Sequence, residues 1–271
     1  MNMNLHLRGA AALAGTAALS LLFASPAAAQ DGEGSGWTLT VGGGAQAYPK
    51  FPGADELGFA PMPIVDFRRQ GTPMPFEAPD EGWGFGLLGR DRSFNIGPAV
   101  QFQRKRRDED VGAPVGEVGF TIEVGGFAEI FLADNFRLRG EGRKGLGGHE
   151  GWVGDVAADF VLRDGDRYVF SIGPRARLSD DRYQDSYFGV TPAVALASGL
   201  PVHDPEGGVH ALGIVAGLHY MVDRNWGLYT YAGYDRLIGD AADSPIIRTY
   251  GSRHQYSGGL GLFYTFDVGG R

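Results

Sequence analysis

Eleven charged residues are spaced so that they share one face of the segments that carry them: Glu117, Glu123 and Glu129; Arg137, Arg139 and Arg143; Asp155 and Asp159; Arg167, Arg175 and Arg177. Facing rows of carboxylates and guanidinia suit two jobs. They line a passage for ions, or they neutralise one another as a plug of ion pairs. His149, His203, His210 and His254 fall near long polar segments. Such residues hold a surface metal, assist a hydrolase, or are ordinary polar rim residues; no ligand spacing favours the first two. His149-Glu150 lacks the second His of a zincin helix, and there is no Gly-x-Ser-x-Gly elbow. Gly84-x-Gly86-x-x-Gly89 and Gly140-x-Gly142-x-x-Gly145 match the dinucleotide fingerprint. With 45 Gly in 271 residues such a match arises about once by chance, and no helix signal follows either one. No catalytic, cofactor or metal set is therefore expected.

The elements that must position these charges alternate with period two. Phe94, Ile96, Pro98, Val100 and Phe102 share one face. Val118, Phe120, Ile122, Val124, Gly126, Ala128, Ile130 and Leu132 share another, with Glu117, Glu123 and Glu129 pointing away. Phe136 and Leu138 oppose Arg137, Arg139, Glu141 and Arg143, and Val156, Phe160 and Leu162 oppose Asp155 and Asp159. Alternate side chains of a β-strand point to opposite faces. His219 falls on the charged face as filler. The apolar face then meets either a second sheet, as in a soluble sandwich, or lipid. Runs of 12 to 16 residues are longer than the strands of most soluble sheets. Trp37, Phe94, Trp152, Tyr168, Trp226, Tyr264 and Phe266 stand near strand ends, where a barrel in a bilayer carries its aromatic girdles.

Very short polar turns join the runs at one end: Asp134-Asn135, Asp164-Gly165-Asp166, Asp223-Arg224-Asn225 and Arg90-Asp91-Arg92. Longer polar segments, 106–114, 179–208 and 239–254, join them at the other. That asymmetry marks an outer-membrane barrel. The expected strands are 37–47, 57–68, 73–79, 82–89, 93–105, 116–133, 135–147, 150–163, 167–179, 208–222, 226–239 and 255–266. Twelve strands satisfy the even count of a closed antiparallel barrel, and ten result if the third and fourth runs do not both span. Segment 180–207 has room for further β structure. Arg104-Lys105-Arg106-Arg107, followed by Asp108-Glu109-Asp110, either touches lipopolysaccharide phosphates or is a solvated loop.

Arg8 is the one Lys, Arg, Asp or Glu among the first 30 residues. The apolar run 9–23 and Ala27-Ala28-Ala29 follow it, the pattern of a secretory signal peptide cleaved after Ala29. The expected organisation is a signal peptide (1–29), a short periplasmic segment (30–36), a barrel (37–266) and a C-terminal extension (267–271). The chain has 0 Cys, so no disulfide framework, no Cys-ligated metal and no lipidated N-terminal cysteine is available. A net charge of −8 disfavours nucleic acid as a partner.

Several local motifs combine. The first hairpin carries Tyr48-Pro49-Lys50-Phe51-Pro52-Gly53-Ala54-Asp55. Tyr187-Phe188-Gly189-Val190 and Ser198-Gly199-Leu200 come later, then Leu237-Ile238-Gly239-Asp240-Ala241-Ala242-Asp243-Ser244-Pro245-Ile246, and the last strand ends Phe263-Tyr264-Thr265-Phe266. In this order and spacing the chain resembles the MipA/OmpV family of outer-membrane proteins, over most of its length. The resemblance implies a Gram-negative outer-membrane barrel without enzymatic activity. It implies a scaffold that bridges a lytic murein transglycosylase and a bifunctional murein synthase, in contact with outer-membrane lipid and lipopolysaccharide. Other members of the family look like adhesins. From the residues themselves, a small-solute channel is the competing reading. Pro49, Pro52 and Gly53 read as a fixed turn, and Asp240, Asp243 and Ser244-Pro245 as a loop closed by side-chain-to-backbone bonds. Asp267 and the residues after it extend beyond the terminal aromatic that ends most members of the family.

Overall fold

The computed structural model describes residues 36–88 and 93–269. The signal peptide and its cleavage point, residues 30–35, the Arg90-Asp91-Arg92 turn and residues 270–271 lie outside the described residues.

The strands are β1 (Trp37–Pro49), β2 (Leu57–Arg69), β3 (Trp83–Gly84), β4 (Phe94–Gln103), β5 (Thr121–Ala133) and β6 (Phe136–Leu146). They continue with β7 (Trp152–Asp164), β8 (Tyr168–Ser179), β9 (Gly208–Met221), β10 (Trp226–Leu237) and β11 (His254–Val268). Five short helices sit between them among the described residues: α1 (Asp108–Val111), α2 (Asp181–Phe188), α3 (Pro192–Ser198), α4 (Gly239–Asp243) and α5 (Pro245–Tyr250). All these strands belong to one antiparallel sheet of order β2-β1-β11-β10-β9-β8-β7-β6-β5-β4-β3. The first strand pairs with the last over eleven register positions, Trp37 opposite Val268 to Ala47 opposite Gly258. The sheet curls, and its two free edges are β2 and β3. Across that seam the Arg104 guanidinium lies over the Tyr48 ring at 5.1 Å.

The described residues hold eleven strands, not twelve or ten. The run 73–79 is no strand, and among the described residues of the run 82–89 the strand is Trp83 and Gly84 alone, with the Leu87 amide donating to the Ile96 carbonyl at 2.8 Å in the same register. The reason is local. Pro73, Pro75 and Pro79 cannot donate to a ladder, so this stretch has no stable place between two strands. Residues 70–82 cross the concave side of the sheet instead, as a strap. Pro61 and Pro63 stand on β2, an edge strand, where missing donors are tolerated. Segment 180–207 holds α2 and α3 and a single bridge between Val190 and His203, not extra strands. Asp180 caps α2 by accepting from the Tyr183 amide at 3.0 Å, and Thr191 caps α3 ahead of Pro192. Gly140, Gly142 and Gly145 all lie inside β6, so that fingerprint is strand sequence.

The alternation separates two surfaces. The convex face exposes Phe59 (74%), Val65 (71%), Trp83 (64%) and Leu132 (58%). The concave face encloses the charges. Apolar burial concentrates above one rim, where α2, α4 and α5 pack with Phe51, Ala54, Val111 and Leu237 into a cap. A sheet with apolar residues outside and charged residues inside reverses the usual pattern of soluble proteins.

Candidate functional site

β5 to β8 place their inward residues side by side, because antiparallel register sets Glu129 opposite Arg139 and Arg137 opposite Asp159. The Arg137 guanidinium is fully enclosed and reaches Asp159 at 2.6 Å and Glu129 at 3.1 Å. Arg139 reaches Glu141 at 2.6 Å and Glu129 at 3.3 Å. Arg143 holds Glu123 at 2.9 Å and Asp155 at 2.8 Å, and it also pairs with Glu141. Arg175 binds Asp159 at 2.8 Å, and Arg177 binds Asp155 at 2.9 Å. Nine of the eleven charges expected on the inner face therefore form one network. The other two do not join it. Glu117 is exposed in the loop before β5, because β5 begins only at Thr121. Arg167 is 69% exposed in the β7–β8 turn, 3.9 Å from Asp164.

The strap completes the network from the other side. Asp80 is gripped by Arg175 (Nε–Oδ2 2.9 Å) and Arg177 (Nη2–Oδ2 2.7 Å). Glu81 pairs with Arg137 and stands 3.8 Å from Arg139. Lower down, the Met74 amide donates to Asp166 at 2.8 Å, and Arg163 donates to the Met74 carbonyl at 2.6 Å. Asp80, Glu81 and Glu141 are not among the site residues expected from the sequence. Alternation does set Glu141 on the charged face beside Arg139 and Arg143, and it pairs with both there. Asp80 and Glu81 could not be found, because a reading of their region as strand hides a strap.

The residues of the recurrent motifs meet in the cap. Tyr187, Phe188 and Val190 are fully buried there. Ser244 donates to the Phe188 carbonyl at 2.6 Å and so joins the Tyr-Phe-Gly-Val segment to the start of α5 at Pro245. Gly189 follows α2, its amide donating to the Asp185 carbonyl. Gly53 has φ +93°, and a Cβ placed on it would lie 2.1 Å from Ile247 Cδ1, so the turn after Tyr48, Pro49 and Pro52 closes directly on α5. The side chain of Gln255 seals this contact, accepting from the Gly53 amide at 3.0 Å. Asp240 accepts from the Glu206 amide at 2.9 Å, beside Gly239, and Asp243 pairs with Arg253 at 3.0 Å. Arg106 belongs to the cap as well, neither solvated nor at a lipid surface. It is 2% exposed and donates to the Tyr187 carbonyl at 2.8 Å and the Gly116 carbonyl at 3.0 Å. Burial pushes the Tyr187 hydroxyl above its ordinary range and draws the Arg106 guanidinium below its own.

The histidines do not converge. His149 is buried; its Nδ1 accepts from the Gly151 amide at 3.0 Å, which leaves Nε2–H to donate to Glu123 at 3.1 Å. His210 faces Ser179 at 3.0 Å, His203 donates to the Asp240 carbonyl at 3.0 Å, and His254 Nδ1 lies 2.8 Å from the Tyr234 hydroxyl. Among the described residues no group of three His, Cys, Asp or Glu is placed to hold a metal.

A family model described as "MltA-interacting protein MipA" matches residues 41–266. The chain belongs to the MipA family. The match spans β1 to the last aromatic of β11, and therefore the ion-paired interior, the strap and the cap together. No curated protein matches the chain. Among solved structures this MipA family member is similar to the KdgM porin, at 10% identity and TM-score 0.36, covering 84% of this chain and 99% of that one. It is also similar to an outer membrane channel from Pseudomonas putida F1, at 11% identity and TM-score 0.39, covering 89% and 99%. A third is the translocator domain of the autotransporter NalP from Neisseria meningitidis, at 13% identity and TM-score 0.40, covering 87% and 90%.

Proposed function

We propose that this MipA family member is a barrel of the Gram-negative outer membrane that acts as a non-enzymatic scaffold. Its partner is a lytic murein transglycosylase, and through it a bifunctional murein synthase. The observation that carries the reading is the ion-paired interior crossed by the strap. Five wall arginines pair with six wall carboxylates, Asp235 of β10 standing 3.5 Å from Arg177, and the strap lies across them. A barrel so plugged is suited to holding something rather than to passive conduction. Membrane residence is supported by the exposed Phe59, Val65, Trp83 and Leu132 on the convex face. The barrel closes across the β2–β3 seam. The signal peptide (1–29) and the short segment 30–36 bring it to the periplasmic side, and 267–271 end there.

The partner meets the short-turn end. The turns at 134–135, 165–167 and 222–225 offer little surface alone, and residues 69–74, where β2 gives way to the strap, widen it. The opposite rim, with the cap, faces lipopolysaccharide. Two experiments test this. Outer-membrane fractionation with unboiled gels should give a heat-modifiable band in the membrane fraction, and a soluble periplasmic band would overturn the architecture. Detergent extracts of the tagged full chain should capture a murein transglycosylase. Intact barrels that recover neither a murein hydrolase nor a synthase would remove the scaffold reading.

A further inference from the structure

The strap divides the interior into two spaces. An outer cavity of about 490 Å³ under the cap is lined by Lys50, Gln103, Arg143, Asp155, Arg177 and Tyr231. An inner cavity of about 830 Å³ towards the short turns is lined by Thr72, Phe76, Glu129, Phe131, Arg139 and Arg163. Glu81 borders both, and Asp80 borders the outer one. The partition is thus the segment whose two adjacent carboxylates are held by wall arginines.

How the strap is held differs from how the wall is held. Wall strands such as β7 and β8 are fixed to their neighbours by long antiparallel ladders. Beyond Gln70, whose amide donates to the Gly36 carbonyl at 3.1 Å, the strap joins no ladder. Its Glu81 amide donates to the Ala78 carbonyl within the strap, and Asp80, Glu81 and Met74 tie it to the wall through side-chain partners. Three prolines keep it extended without pairing. The wall arginines also keep partners without it: Arg175 retains Asp159, Arg177 retains Asp155, Arg137 retains Asp159 and Glu129, and Arg139 retains Glu141. Withdrawing the strap therefore leaves none of these four arginines unpaired, yet it frees the guanidinium edges that now face Asp80 and Glu81. Those edges hold a carboxylate through two nitrogens, Arg175 Nε and Nη2 lying 2.9 and 3.1 Å from Asp80 oxygens.

We propose that Arg175 with Arg177, and Arg137 with Arg139, form a binding site for a solute bearing two carboxylates. Asp80 and Glu81 occupy it as an internal substitute. A dicarboxylate competes with the strap for the same nitrogens, and displacing the strap joins the two cavities into one anion path. This goes beyond the scaffold reading and shares with it only the barrel in a membrane, which the heat-modifiable band checks separately.

The test is conductance of the full chain in planar bilayers. The wild type should conduct weakly. Asp80→Asn with Glu81→Gln should conduct several-fold more, with a reversal potential shifted towards the anion in a salt gradient. Succinate, glutarate or adipate should then block that current, and acetate should block it far less. Adding Arg177→Gln should weaken the dicarboxylate block. A second variant guards against misfolding. A Cβ placed on Gly217 would lie 2.8 Å from Pro79 Cγ, so Pro79→Cys with Gly217→Cys can tether the strap to β9 in a chain that has 0 Cys of its own. The tethered protein should be silent to dicarboxylates when oxidised and respond after reduction. A heat-modifiable double variant with wild-type current, or a current indifferent to dicarboxylates, overturns the proposal. So does an oxidised tether that responds to dicarboxylates like the reduced one.

Discussion

Arg137→Ala probes the interior network where it is most enclosed. The guanidinium is 0% exposed and serves three carboxylates, Glu81, Glu129 and Asp159. Its carbon also lies 4.4 Å from the Phe76 ring centroid, so the strap packs on it as well. Truncation affects the three acids unequally. Asp159 keeps Arg175 at 2.8 Å, and Glu129 keeps Arg139 at 3.3 Å. Glu81 is left with Arg139, at 3.8 Å, beyond hydrogen-bond reach. Removing one member of a buried pair costs about 3–5 kcal/mol, because the orphaned charge stays desolvated. Since two of the three acids retain a partner, the lower figure, about 3 kcal/mol, is expected here. The assay is reversible urea unfolding in detergent micelles, followed by the heat-modifiable band. Adding Glu81→Gln to Arg137→Ala should return part of the loss, because it removes the acid left worst off. Arg167→Ala, at an exposed pair 3.9 Å apart, should unfold with the wild type. A loss below about 1 kcal/mol for Arg137→Ala would refute the claim that these ion pairs are enclosed rather than hydrated.

The cap gives three further expectations. Gly53→Ala combines a φ of +93° with a new Cβ 2.1 Å from Ile247 Cδ1, so it should cost about 1–3 kcal/mol and speed proteolysis between residues 239 and 254. Ser244→Ala orphans the buried Phe188 carbonyl and should cost about 1–3 kcal/mol, seen as earlier cap proteolysis with the barrel band unchanged. Burial, together with Asp204, Asp181 and Asp180, holds the Asp185 carboxyl above its ordinary range. A raised carboxylate binds its proton more readily in the folded cap than in the unfolded chain, so the cap should gain protease resistance as pH falls through that range. Asp185→Asn should give the same gain at neutral pH and flatten the profile.

What the residues disclose in advance depends on whether their physics is local. Period-two alternation survives because each strand needs only its own pleat to sort Ile122 and Val124 outward and Thr121 and Glu123 inward. The same pleat puts nine charges on the concave face whichever strands pair. The two strays fail at strand ends, where alternation continues in the sequence after the ladder has stopped. Helix signals in the segment 180–207 are also local, namely Asp180, Thr191-Pro192 and Gly199, yet they are brief and lie between long stretches of alternation. The strap is different in kind. Residues 73–79 alternate Pro73, Pro75 with Met74, Phe76, which imitates a strand, while the prolines forbid the ladder a strand requires. Their fate is decided by Arg137, Arg139, Arg175 and Arg177, which are distant in the chain and offer Asp80 and Glu81 a charged place on the concave side. The two carboxylates next to Pro79 and the surplus of guanidinium edges on β6 and β8 are complementary only in three dimensions. That complementarity turns a failed strand into a partition, and a partition held by charge is one that a competing charge can move.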